Sequence, residues 1–162
     1  MDFVNPRQTV VVTSSADIEL MGKKVHKDNA FTLTWHCPLS RDPFLYGISV
    51  SPDRFSCRLI KESKVFVVNF MAHEFKNDVL LVGTESGMGQ DKFRKTKFTK
   101  EEAEHVHCCR IKEASAWLEC EVVDEYEAGD HVFFVGRVIY HKENDDKKRL
   151  FYLGGGRFTS TI

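Results

Sequence analysis

Residues 29–63 read NAFTLTWHCPLSRDPFLYGISVSPDRFSCRLIKES, and the order of patterns inside this stretch decides the fold. From Asn29 to Trp35 apolar and polar side chains alternate, the period-two signature of a strand with one buried face. Leu45 to Val50 is a second apolar, β-rich run. Ser51-Pro52-Asp53-Arg54-Phe55-Ser56 then opens a helical pattern over Phe55 to Glu62, with Phe55, Leu59 and Ile60 on one face. Strand, strand, polar turn, helix is an order suited to holding an anion. Ser51 and Ser56 bring hydroxyls, Arg54 brings a planar fork of donors, and the free N–H groups at a helix start add a partial charge of roughly +0.5. By local sequence alone, the same turn reads as an ordinary helix N-terminus with Ser51 as cap and Pro52 at the first helical position.

Outward from this stretch the chain keeps a β-rich rhythm. Gln8 to Ser14 is a β-branched run, and the polar segment Ser15 to Asp28 reads as a hairpin connection to the next strand. Val65 to Phe70 returns to strand character, His73 to Val82 predicts a helix ended by Gly83, and Asp91 to Lys95 a short helical turn. Thr99-Lys100-Glu101-Glu102 carries an N-cap pattern with acids in the first turn, which predicts another short helix. Trp117 to Tyr126 and His131 to His141 flank the compact turn Glu127-Ala128-Gly129-Asp130, so an antiparallel hairpin is the simplest reading. Lys142 to Arg149 is a solvated run of mixed charge, and Leu150 to Leu153 a last strand.

Composition narrows the function. A chain of 162 residues is most simply one domain, residues 1–162, and buries about 70% of its unfolded surface. With 23 basic against 24 acidic residues, the net charge of -1 gives no general attraction for nucleic acid or an anionic membrane, so any anion site is local. The N-terminus MDFVNPRQTVVV is too short in apolar residues for a signal region or a span, which makes the cytoplasm the expected location. Five cysteines without a CxxC pair are a poor disulfide framework and are expected to be reduced thiols, with Cys37 and Cys120 as small core hydrophobes. His105, His107, Cys108 and Cys109 are the most metal-like group. Adjacent cysteines on a strand point to opposite faces, so these read as surface or half-buried strand residues and no metal is expected. Gly83 to Lys92, GTESGMGQDK, lacks the Gly-Lys-Ser/Thr ending of a phosphate loop. No nucleophile–His–acid triad supports hydrolysis.

Taken with Leu118 to Asp124 (LECEVVD), Glu127 to Val138 (EAGDHVFFVGRV) and Leu153 to Phe158 (LGGGRF), the opening stretch resembles the flavin reductase-like family over roughly residues 9 to 158. The resemblance implies a mainly β, antiparallel split β-barrel of Greek-key type with short peripheral helices, and noncovalent FMN as cofactor. It places Phe31, Thr32, Leu33, Thr34 and Trp35 along the flavin together with Ser49, and puts the flavin phosphate at Ser51, Arg54 and Ser56. Ser86, Gly87 and Lys92 fall on a segment bordering the flavin, and His131 of Gly129-Asp130-His131 on a hairpin where its imidazole can touch the nicotinamide or adjust charge near the flavin. The activity implied is electron transfer from NAD(P)H, bound transiently because no GxGxxG fingerprint is present, to an unknown acceptor such as free flavin, ferric iron or a redox protein. A non-catalytic electron carrier and a flavin-free interaction module are the rival readings. A homodimer is expected, with Gly154-Gly155-Gly156 and Phe158 near the partner's flavin.

Overall fold

The computed structural model describes residues 2–162. Its first hairpin is formed by β2 (Val10–Leu20) and β3 (Lys23–Leu33), paired in register from Val10 opposite Leu33 to Leu20 opposite Lys23. Met21 and Gly22, both at positive φ, make the two-residue turn. Ser15 to Asp28, expected to be a connection, is therefore strand. The reason is alternation hidden in polar residues: Ala16 and Ile18 point inward onto Phe55 and Leu59, while Asp17 and Glu19 face out.

The remaining strands are β1 (Arg7–Gln8), β4 (His36–Arg41), β5 (Phe44–Val50), β6 (Val65–Phe70), β7 (Lys100–Glu102), β8 (Cys109–Ile111), β9 (Ala116–Ala128), β10 (His131–Glu143), β11 (Leu150–Gly154) and β12 (Arg157–Ser160). The two α-helices are α1 (Phe55–Ser63) and α2 (Lys76–Thr84). One seven-stranded sheet runs β3-β2-β6-β9-β10-β5-β4, and β1-β11-β12 and β7-β8 form two smaller ones. The pairings within them are antiparallel.

The large sheet curls until its ends meet. Phe31 and Leu33 from β3 share one core with Tyr46, Ile48 and Val50 from β5 and with Phe66, Cys120 and Phe134 from the middle strands. Ser49 N–H donates to the Trp35 carbonyl at 2.9 Å, tying the chain beyond β3 to β5. The result is the split barrel that the sequence led us to expect. A second apolar cluster, including Val11, Met71, Val79, Val82, Phe93 and Trp117, seats α2 on the outside of the barrel. Buried Asn69 joins three strands there, accepting from Ile111 N–H at 2.8 Å and donating to the Val11 carbonyl at 2.9 Å.

Two further expectations are corrected. Thr99 to Glu102 is not a helix: Lys100, Glu101 and Glu102 pair with Ile111, Arg110 and Cys109, and Thr99 N–H is taken by the Glu113 carboxylate. The acids there serve Arg110, which bonds Glu101, Glu104 and fully buried Glu119 while lying over the Trp117 ring. The helix expected over His73 to Val82 begins as a 3-10 turn at His73–Phe75 and continues as α2 through Gly83 to Thr84.

Gly136 sits at a bulge in β10, where an added Cβ would lie 2.6 Å from Phe66 Cζ and 2.9 Å from Cys120 Cβ. Both neighbours are fully buried and cannot give way. Gly136→Val is expected to lower stability by about 1–3 kcal/mol, read as a fall in the urea midpoint; an unchanged midpoint would show that the barrel relaxes there.

Candidate functional site

Strand β3 ends the seven-stranded order, so from Phe31 onward it has a strand partner on one side only. Phe31, Thr32, Leu33, Thr34 and Trp35 form one wall of a cavity of about 170 Å³, with Ser49, Val50, Ser51, Arg54 and His131 as the others. The Thr32 hydroxyl donates to the Val79 carbonyl of α2, so its main chain rather than its hydroxyl faces the cavity. The Thr34 carbonyl accepts from Arg7 Nε at 3.0 Å. Trp35 leaves 37% of its surface exposed, and its ring lies 4.8 Å from that of His131, tilted by 37°. His131 Nδ1 is 2.8 Å from Asp130 Oδ1, and that hydrogen bond holds the Asp130 carboxyl below the usual carboxylate range.

A second cavity of about 230 Å³ shares Phe31 and Arg54 with the first and is otherwise lined by Asn29, Asp53, Phe55, Ser56, Thr84, Glu85, Ser86, Gly87 and Lys92. Helix α1 starts here, at Phe55, with Arg54 in the cap position at φ -71 and ψ 132 and no side chain capping it. Ser51 is therefore not the cap; its carbonyl accepts from Arg54 N–H at 3.1 Å in the preceding turn. A cation at the positive end of an uncapped helix, with no acid in the first turn, is an arrangement that an anion would stabilise. Ser56 is fully buried and its hydroxyl accepts from Asn29 Nδ2 at 2.8 Å. Gly87 packs so closely over this pair that an added Cβ would fall 1.9 Å from Asn29 Oδ1.

Lys92 is 3% exposed, and its Nζ donates to the Ala30 carbonyl at 2.8 Å and the Val82 carbonyl at 2.9 Å. Arg54 Nη1 donates to the next carbonyl, Gly83, at 3.2 Å. Two cations thus converge on the last turn of α2, which supplies only about half a unit of negative charge. Gly83 is not among the glycines at positive φ, so α2 runs through it instead of stopping. Burial, and then the Arg54 charge, push the Lys92 ammonium down to about 8.

The cavities thus gather the residues that the resemblance placed along the flavin of the same chain: Phe31 to Trp35, Ser49, Ser51, Arg54 and His131 around one, Ser56, Ser86, Gly87 and Lys92 around the other; Gly154, Gly155, Gly156 and Phe158 line neither. Asn29, Val50, Asp53, Phe55, Thr84 and Glu85 were not anticipated as site residues. Asn29 alone left a signal, as an amide opening an apolar strand. Other readings need correction. Cys37 is exposed, and Cys108 and Cys109, expected at the surface or half-buried, are buried beneath β2 against the Thr13 and Ser14 carbonyls. His105 stacks on Tyr140 with ring centroids 4.4 Å apart. Among the described residues, no three His, Cys, Asp or Glu side chains are grouped to hold a metal ion, and no helix is long and apolar enough to cross a membrane.

The chain belongs to the flavin reductase like domain family, whose model matches residues 3–161. An uncharacterized protein of Archaeoglobus fulgidus is 36% identical over 145 residues, 90% of this chain and 77% of that one. A probable flavin reductase of Rhizobium meliloti is 29% identical over 165 residues, 95% of this chain but 45% of that protein. Among solved structures, the FMN-binding protein from Thermus thermophilus superposes with a TM-score of 0.84 at 28% identity, covering 99% of this chain and 89% of that one. The NADH:FAD oxidoreductase of Streptomyces globisporus shares the fold, with a TM-score of 0.83 at 23% identity over 98% of this chain and 87% of that one.

Two measurements address this site without any ligand. Gly87→Val should drive Asn29 off Ser56 and lower stability by about 1–3 kcal/mol; an unchanged urea midpoint would mean that the loop does not rest on Asn29. Because the folded-state Lys92 ammonium titrates near 8 against an ordinary 10.5, the unfolded chain binds more protons between those values. Stability should therefore rise with pH across that window, and Lys92→Met should remove the rise.

Proposed function

We propose that the chain binds FMN noncovalently across the two cavities and passes electrons from NAD(P)H through it to an acceptor such as free flavin, ferric iron or a redox protein. The observation that carries this reading is the contrast between two adjoining cavities that share Phe31 and Arg54. One is walled by a strand edge and the Trp35–His131 pair, which suits a flat ring with polar edges. The other brings Arg54 and Lys92 to an uncapped helix start, which suits a phosphate. Neither alone reaches the roughly 300–1,000 Å³ of a small-molecule site; joined, they do. The similarity to an FMN-binding protein of known structure supports the same cofactor.

FMN supplies the redox chemistry, accepting a hydride and releasing electrons. The main chain of Phe31 to Trp35 and Ser49 orients the ring edge, and Ser51, Arg54, Ser86, Gly87 and Lys92 hold the phosphate. Ser56 still has its own hydroxyl proton to donate, because it accepts from Asn29. His131, steadied by Asp130, stands beside the open mouth of the first cavity where nicotinamide approaches.

We also propose a homodimer. Tyr126 is 53% exposed, and Phe133 and Leu39 lie over Gly47 on the outer face of the sheet beside the first cavity, so apolar surface is available for a second copy. Sedimentation of the FMN-loaded protein at micromolar concentration should give twice the chain mass; a monomer would overturn the proposal.

The purified protein should show a flavin spectrum after incubation with FMN, bind FMN in preference to FAD and riboflavin, and bleach when NADH or NADPH is added without oxygen. Arg54→Ala should weaken FMN by roughly ten-fold to over a hundred-fold, the loss of one charged hydrogen bond, and affect riboflavin far less. His131→Ala should spare FMN binding and slow bleaching. Equal affinity for riboflavin and FMN would mean that the phosphate turn is misassigned, and bleaching at the wild-type rate would return His131 to a structural role.

A further inference from the structure

Lys92 is a buried cation without an anion. Its two hydrogen bonds go to main-chain carbonyls, Ala30 on β3 and Val82 on α2, and neither carries a full charge. The acid that acts on it is Glu85, which is already held by Lys95 and Gln90. A lysine removed from water in this way is costly to keep charged unless an opposite charge joins it. Lys92 nevertheless lines the second cavity, together with Arg54 and the uncapped start of α1.

We propose that Lys92 makes cofactor binding proton-linked: the chain takes up a proton from solvent at Lys92 as a phosphate dianion enters the second cavity, and returns it when the phosphate leaves. This rests on the FMN reading above and adds to it a regulation of the same site. The phosphate is already a dianion above pH 7, since its second pKa is about 6, so the proton comes to the protein and not to the ligand. The charges acting on Lys92 are Arg54 from the turn before α1 and Glu85 after α2, with Asp53 in the same cavity; on its own turn Asp91 pairs with Arg94 and Lys95 with Glu85, and Asp28 on β3 is paired with Lys100. The depressed titration of Lys92 in the free chain puts the effect in the range just above neutrality.

The test is a titration of the full chain with FMN and, separately, riboflavin from pH 7 to 9.5, with calorimetry at pH 8.5 in two buffers of different ionisation enthalpy. FMN affinity should fall above pH 8 with a slope approaching ten-fold per pH unit, riboflavin affinity should stay level, and about half a proton or more should be taken up per FMN. Lys92→Met should bind FMN more weakly, with a level pH profile and no proton uptake. If that variant fails to fold, the wild-type proton count decides. FMN binding that is tight, independent of pH and without proton uptake would overturn the linkage and leave the FMN reading standing. No FMN binding at any pH would overturn both.

Discussion

The free edge of β3 is the constraint on which the site depends. An edge strand presents unpaired N–H and C=O groups, and each must find a partner or face solvent. Here β2 pairs one side of Phe31 to Leu33, and the barrel closes only beyond them, where the Trp35 carbonyl meets Ser49. From Ala30 to Thr34 the strand is dressed piecemeal: Lys92 takes the Ala30 carbonyl, Arg7 the Thr34 carbonyl, and the Thr32 hydroxyl reaches α2. What is left over is the wall of the first cavity. The split in the barrel and the candidate site are thus one feature.

Helix α2 and the turn before α1 are brought together by charge. Its last carbonyls accept from Lys92 and Arg54, one from each side, so the cations that line the second cavity also fix the helix that closes it. The same donors cannot be strengthened for one task without affecting the other. Gly83 and Gly87 complete this junction, the first because an added Cβ would lie 3.0 Å from Thr32 Cβ, the second because Asn29 occupies the space of a Cβ. Close backbone approach is what these glycines contribute.

Family membership and fold place the chain among the flavin reductase-like proteins, but the reaction has to be argued from the site, since one fold serves many chemistries. The distinction matters for His131. Its ring contacts Asp130 and Trp35 and lines the first cavity, which is the geometry behind the role proposed for it.

Sequence by itself determined the strands of alternating or continuous apolar character, the hairpin at Gly129 and the helix from Phe55. These follow from local periodicity and from motifs whose spacing survives in the linear chain. It misread Ser15 to Asp28, where polar strand residues hide their alternation, and Thr99 to Glu102, where a helix-start pattern was overruled by pairing with buried β8. Only the tertiary structure decided that Arg54 rather than Ser51 occupies the helix cap, that Cys108 and Cys109 are covered while Cys37 is not, and that Lys92 is buried on carbonyls instead of reaching into water. Each of these depends on contacts between segments far apart in the chain, Lys92 with Ala30 being 62 residues distant, and no local pattern records which surfaces a folded chain will bring together.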